Sequence, residues 1–235
     1  MNEKELLKIE PMGFGPDGPT EQEILKIFTD CDAVWLYDGD PKKPHAELTS
    51  GLCSNGFFDC MRVLKFPNLS ELLAIALANK IEASIPLESI DWVVGSAYAA
   101  ITFSHDVANF LFAVHGFVEK DPVNAKKMVW PRLQIPRGSV VLQVEELITT
   151  FGTVNAVRQA IEQGNGEPVT FLPVVGAIVH RPPKLPADYG DRRVVALIER
   201  EVWAVEQGDC PLCNAGSPRL RPKIKAHWAE LTGKK

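Results

Sequence analysis

The stretch "GSVVLQVEELITTFGTVNAVRQAI", Gly138 to Ile161, decides how this chain is read. A mostly apolar run, Val140 to Val144, has the composition of a buried strand and ends in two consecutive acids, Glu145 and Glu146. Thr149, Thr150, Phe151, Gly152 and Thr153 follow, and after them the spacing turns helical. Adjacent carboxylates repel each other and cost desolvation, so their position at a strand end asks for a ligand. A loop of hydroxyls and glycine that opens a helix directs backbone N–H groups and side-chain donors into one small volume. That arrangement suits a phosphate, each charge-assisted hydrogen bond contributing roughly 1.5–3 kcal/mol and the helix dipole roughly 0.3–1 kcal/mol. Carboxylates beside a phosphate make sense if they accept from sugar hydroxyls or approach through a cation such as Mg²⁺. Phosphate, diol and metal together describe a phosphorylated ribose. The pattern alone fits equally well an acidic strand end followed by an ordinary helix capped by Thr149 or Thr150.

Outward from this stretch, apolar strand candidates lie at Asp91–Gly95, Phe112–Val118, Val169–Val179 and Val194–Ile198. Helical spacing marks Glu21–Phe28 after Thr20, Ser70–Ile81 after the Pro67-Asn68 break, and Ile101–Phe112. Strands alternating with helices predict an α/β fold: a doubly wound, mostly parallel sheet with helices on both faces. Residues 51–200 would form the core. Residues 1–50 and the tail 201–235 would make a small hood, and Asp38–Gly56, which spans the first boundary, reads as loop.

The 235 residues are 46% hydrophobic and 23% charged, and the net charge of −5 provides no overall basic field for nucleic acid or anionic membrane. The start, MNEKELLKIEPMG, lacks a signal-peptide core, and no apolar run reaches the ~18 residues of a membrane span. Of five cysteines, only Cys210 and Cys213 form a close pair, so a reducing, cytoplasmic setting is expected. Cys210-Pro-Leu-Cys213 has the spacing of half a zinc site, with His227 the near candidate for a further ligand. Otherwise it is a tight turn with two free thiols.

Val141 to Thr153 resembles the ribose-phosphate fingerprint of type I phosphoribosyltransferases. The stretches "LTSGLCSNGFFDCMRVL" (Leu48 to Leu64), "VVGSAYAAITFSHDVA" (Val93 to Ala108) and "DCPLC" (Asp209 to Cys213) are similar to the orotate branch of that family. The resemblance implies transfer of ribose 5-phosphate from phosphoribosyl pyrophosphate to orotate, with Mg²⁺ on the pyrophosphate, in a homodimer. It implies that Glu145 and Glu146 hold the ribose hydroxyls, and that Thr149, Thr150, Gly152 and Thr153 bind the 5′-phosphate. Ser96, Ala97 and Tyr98 would belong to the pyrophosphate loop. Lys120, Lys126 and Lys127, in the polar stretch Glu119–Arg132, would supply the catalytic lysine. Ser54, Asn55, Phe57 and Phe58 would surround the base, and Arg181 would pair with its carboxylate.

The sequence departs from the family twice. The pyrophosphate loop carries alanines where lysine or glycine is usual, and the second acid is Glu146 rather than Asp. Two rivals therefore stand beside the orotate reading: a purine or uracil phosphoribosyltransferase, and a ribose-phosphate-binding regulator without turnover.

Overall fold

The computed structural model describes residues 1–14, 18–85, 90–124 and 127–234. Along the chain run α1 (Glu3–Leu6), α2 (Glu21–Asp30), β1 (Val34–Leu36), β2 (His45–Glu47), β3 (Cys53–Ser54), β4 (Gly56–Phe58), α3 (Met61–Leu64) and α4 (Pro67–Glu82). Then come β5 (Trp92–Gly95), α5 (Ala100–Phe110), β6 (Val114–Phe117), β7 (Glu119–Lys120), β8 (Met128–Val129), β9 (Val140–Ile148) and α6 (Gly152–Gly164). The last part holds β10 (Thr170–His180), β11 (Arg193–Glu199), β12 (Ala204–Val205), α7 (Pro211–Asn214), β13 (Arg219–Leu220) and α8 (Lys225–Thr232).

Five strands form the central sheet in the order β11-β10-β9-β5-β6, every neighbouring pair parallel. Parallel strands need crossovers, and the helices that make them cover both faces. On one face α2, α4 and α5 bury Phe28, Leu69, Leu73, Leu77, Phe103 and Val107 against Leu142, Val144, Val174 and Ile178. On the other, α6 packs Val157 and Ile161 against Trp92, Val94, Trp130 and Val141. The α/β, doubly wound expectation holds. Among the described residues no helix is long and apolar enough to cross a membrane.

The boundaries moved for physical reasons. α4 starts at Pro67, because proline at the first helical turn has no N–H to lose; the dipeptide read as a break is the helix start. β6 begins at Val114 rather than Phe112, whose φ of 53° and full exposure put it in the turn after α5. β9 runs past the acids to Ile148, with Glu145 opposite Ala177 and Leu147 opposite Val179 on β10. The segment Asp38–Gly56 is not all loop. β2 and β3 sit inside it, in a four-stranded sheet of order β12-β3-β2-β13 whose outer strands come from beyond residue 200. Two- and three-residue strands show no periodicity, and their partners lie far away in sequence, so no local signal announces them. Trp35, Phe57, Trp228 and Leu231 form a small separate core beneath this hood.

Candidate functional site

The carboxyl ends of parallel strands are where open α/β sheets bind ligands, and the fingerprint residues gather there. Glu145 is buried. Its Oε2 accepts from Ser96 Oγ at 2.5 Å, and its Oε1 accepts from Gln143 Nε2 at 3.2 Å. Burial pushes the Glu145 carboxyl up to about 8; the Ser96 hydrogen bond opposes that shift and the Glu146 charge adds to it. The Lys120 ammonium on β7 is close enough to favour the ionised form. Glu146 is half-buried, its carboxyl also raised by burial, and it opens onto a different space. Expected to hold one diol together, the two acids turn to different neighbours: Glu145 to the Ser96 loop, Glu146 to a cleft.

That cleft, about 350 Å³, lies between the sheet and the hood. Glu146 and Leu147 of β9, Phe57, Phe58 and Cys60, the turn residues Thr49 and Ser50, Arg181 and Lys223 line it. Arg181 follows β10 directly. Its backbone N–H donates to the Ile148 carbonyl at 2.8 Å, while its buried Nε has no hydrogen-bond partner. Burial lowers the proton affinity of this guanidinium, so the cation sits in a desolvated place unpaired. A buried, unsatisfied donor in a cleft is the mark of a missing acceptor. A larger hollow of about 510 Å³ beside Trp35 and Tyr37 has four of its charges paired, Lys43 with Asp38 and Lys234 with Asp32, and among the described residues no buried unpaired side-chain donor lines it.

The loop after β9 keeps its donors free. α6 begins at Gly152 with Phe151 as the preceding residue and no side-chain cap, so neither Thr149 nor Thr150 serves as the cap. Thr150, Gly152 and Thr153 are exposed and Thr149 is half-exposed. A Cβ on Gly152 would meet only Thr150 Oγ1, at 3.7 Å, so the space over the first turn is open. Phe151 points inward and stacks on Tyr189 at 3.8 Å, with the Arg192 guanidinium carbon 4.7 Å from its ring centroid. Tyr189 is held in turn by His180, its hydroxyl 2.9 Å from Nε2. The loop is thus pinned through one aromatic residue while its polar atoms face outward.

The β5 loop approaches from the other side. Ser96 and Ala97 are buried, Tyr98 is exposed, and Gly95 has no room for a side chain: a Cβ would stand 2.2 Å from Ser104 Oγ and 2.9 Å from the Ala100 carbonyl. α5 can pack this tightly on β5 only because residue 95 is glycine.

Other expected residues are elsewhere. Ser54 is fully buried; its hydroxyl lies 2.9 and 2.7 Å from the Gly56 and Trp203 carbonyls and its one proton goes to this pair, away from the cleft. Asn55 Oδ1 accepts from the Trp203 N–H at 2.9 Å. Both residues bind β4 to the segment before β12, a structural task. Phe57 lines the cleft while its ring meets Trp228 edge-on at 5.8 Å, and Phe58 packs on Phe28. Lys127 is exposed, its backbone closing the hairpin turn with Asp121 and Asn124, and Lys126 lies outside the described residues. Sequence reasoning missed Thr49, Ser50, Cys60 and Lys223. The signal for Lys223 was the basic run RLRPKIK, which only the hood's pairing brings over the cleft. His227 is not beside the cysteine pair: its Nδ1 accepts from the Arg221 N–H at 3.1 Å. Cys210 and Cys213 meet His45 and Cys53 instead.

No family model matches the chain. The fold is similar to the crystal structure of orotate phosphoribosyltransferase from Aeropyrum pernix, at a TM-score of 0.51 and 18% identity over 74% of this chain and 92% of that one. It is similar also to Leishmania donovani UMP synthase, at a TM-score of 0.53 and 17% identity over 92% of this chain and 42% of that one. In sequence, the orotate phosphoribosyltransferase of Desulforamulus reducens is 33% identical over 201 residues, 86% of this chain and 95% of the relative. That of Pelotomaculum thermopropionicum is 33% identical over 203 residues, 86% of this chain and 97% of the relative. With relatives matched across nearly their whole length, and the parallel sheet and acid pair in place, the chain belongs to the orotate phosphoribosyltransferase family.

Proposed function

We propose that this protein transfers ribose 5-phosphate from phosphoribosyl pyrophosphate to a ring nitrogen of orotate, giving orotidine 5′-monophosphate and pyrophosphate for pyrimidine nucleotide synthesis. One observation carries the choice of base: Arg181, half-buried and with its buried Nε unpaired, lines a cleft of about 350 Å³ together with Phe57. A planar carboxylate is the acceptor a guanidinium matches in two parallel hydrogen bonds. A purine or uracil offers single carbonyl or ring-nitrogen acceptors but no carboxylate to match the fork.

The 5′-phosphate takes the open N–H groups and hydroxyls of Thr149, Thr150, Gly152 and Thr153. Glu146, on the cleft side, accepts from the ribose hydroxyls. Glu145 holds Ser96 and with it the pyrophosphate loop, so its role is to position rather than to touch the sugar. In the reaction the bond from the anomeric carbon to pyrophosphate oxygen breaks as the bond to the base nitrogen forms, and positive charge builds on the sugar. Positioning and fixed charges carry such a step. Lys120, with Lys127 on the same hairpin, answers the charge of the leaving pyrophosphate where the loop's own lysine is absent; Lys126, outside the described residues, is the further candidate. The donors at this strand end are oxygens, Glu146 and the threonines, a set that suits a hard cation. Mg²⁺ carried on the pyrophosphate would neutralise its charge as it leaves. We expect a cytoplasmic homodimer.

Purified protein with phosphoribosyl pyrophosphate and Mg²⁺ is expected to release pyrophosphate only when orotate is present. Release with adenine or uracil but not orotate would overturn the assignment of the base. Tight donor binding without release under any base would make the protein a regulator.

A further inference from the structure

Four metal-ligating side chains meet in the hood, away from the cleft: His45 on β2, Cys53 on β3, and Cys210 and Cys213 at either end of the first turn of α7. Their ligand atoms all lie within 4.8 Å of one another. The closest approaches are Cys53 Sγ to Cys213 Sγ at 3.5 Å, Cys213 Sγ to His45 Nε2 at 3.4 Å and Cys210 Sγ to His45 Nε2 at 3.6 Å. A tetrahedron with ordinary Zn–S and Zn–N bonds has S···S edges of about 3.8 Å and S···N edges of about 3.6 Å. The cluster therefore has the dimensions of a coordination shell. His45, Cys53 and Cys210 are fully buried, so three of the four groups turn inward onto one point.

The hydrogen bonds around the cluster set the chemistry of its one nitrogen. Ser217 Oγ donates its only proton to the Lys43 carbonyl at 2.6 Å. The contact from His45 Nδ1 to that same oxygen, at 2.8 Å, must then be Nδ1–H donating to Ser217. Nε2 is left without a proton, its lone pair directed at the sulfurs. This is how an outer hydrogen bond readies an imidazole for a metal. The Cys213 N–H points at Cys210 Sγ, at 3.4 Å, the contact that favours a thiolate there. Arg219 forms an ion pair with Glu47 at 3.3 Å and adds a positive charge to the same corner of the hood.

We propose that His45, Cys53, Cys210 and Cys213 bind one structural zinc ion. Three soft sulfurs and one imidazole in a closed, mostly buried tetrahedron select zinc over Mg²⁺ or Ca²⁺, and leave no open position for catalysis. Binding releases three thiol protons, one from each cysteine, and the imidazole enters neutral. The ion joins the β2–β3 hairpin to the tail. The hairpin turn carries Thr49 and Ser50, and the strand after the cysteines leads to Lys223, so the metal holds two walls of the cleft together.

The test is metal content by mass spectrometry of the full chain, purified without chelator. About one equivalent of zinc per chain is expected, released stoichiometrically when a mercurial caps the thiols. Cobalt(II) in its place should show tetrahedral ligand-field bands and thiolate charge transfer. Cys53→Ser and His45→Ala should lose most of the metal, whereas His45→Cys should keep it and His227→Ala should be indistinguishable from the parent. Should the serine variant fail to fold, the thiol-capping and cobalt results on the parent protein decide alone. Wild-type protein with less than about a tenth of an equivalent of zinc and no cobalt charge transfer would overturn the proposal. So would a Cys53–Cys213 disulfide in protein prepared without air, which would assign the 3.5 Å approach to a different bond.

Discussion

Replacing Arg181 with alanine separates a ligand-binding role from a structural one. The side chain is half-buried with Nε fully so, makes no side-chain hydrogen bond or ion pair among the described residues, and lines the same cleft as Phe57 and Glu146. Two charge-assisted hydrogen bonds to a carboxylate contribute about 1.5–3 kcal/mol each, together about 3–6 kcal/mol. At about 1.36 kcal/mol per factor of ten, Arg181→Ala should lower kcat/KM for orotate by about 10²- to 10⁴-fold. Uracil has no carboxylate to lose, so its kcat/KM, measured on the same preparation, should change by only a few-fold. Arg181→Lys keeps a charge but loses the fork, and should fall between the two. The stability of the ligand-free protein offers an independent check. Removing an unpaired buried cation relieves desolvation, so Tm should hold or rise. Equal losses on orotate and uracil, together with a lower Tm, would show that Arg181 supports the cleft wall and does not read the base.

Further perturbations follow from the same geometry. Glu145 is protonated more readily in the folded state than in the unfolded chain, where its carboxyl is near 4.5, so its contribution to stability is present below that value and is lost as pH rises through about 8. Glu145→Gln should flatten the decline of stability between pH 5 and 8, by a few kcal/mol at the upper end, followed by calorimetry across that range. An unchanged pH profile would mean that the carboxyl is ionised throughout. Tyr189→Ala removes the ring under Phe151; it should cost about 1–3 kcal/mol in urea unfolding and raise KM for phosphoribosyl pyrophosphate more than it lowers kcat. Gly95→Ala drives a methyl into Ser104 and the Ala100 carbonyl, and should destabilise the protein by about 1–3 kcal/mol with the β5 loop displaced, whereas Gly152→Ala, facing open space, should leave Tm nearly unchanged and weaken donor binding.

What the sequence made legible was what local pattern can carry. The central strands were readable because buried parallel strands are apolar runs, and the helices because Thr20 and the 3.6-residue spacing mark them. The fingerprint loop was readable because its atoms come from consecutive residues. The cleft was not. Thr49, Ser50 and Lys223 reach it only after β2 pairs with β13, and nothing near Lys223 separates it from any other basic tail residue. Ser54 and Asn55 looked like base contacts from their place in the loop, yet their hydrogen bonds go to Gly56 and Trp203, the latter about 150 positions away. His227 looked like the ligand nearest the cysteines in sequence, while the histidine that meets them is His45. The different surroundings of Glu145 and Glu146 come from Ser96 on one side and the cleft that Arg181 lines on the other, residues which the sequence order keeps apart.

The hood's wiring bears on how the protein reaches its final form. Trp35 donates to the Leu231 carbonyl across 196 positions, and His45 meets Ser217 across 172, whereas β5 and β9 join residues only 49 apart, Trp92 with Val141. Closing the longer loop costs only about 1 kcal/mol more in chain entropy. The strands that repay it are two or three residues long, and the search for such distant partners is slow. The sheet and its phosphate loop should therefore settle before the hood closes, passing through a species that grips a phosphorylated sugar while the seat for the base is still unbuilt. In refolding, recovery of donor binding should run ahead of recovery of turnover, with the interval between them timing the arrival of the tail.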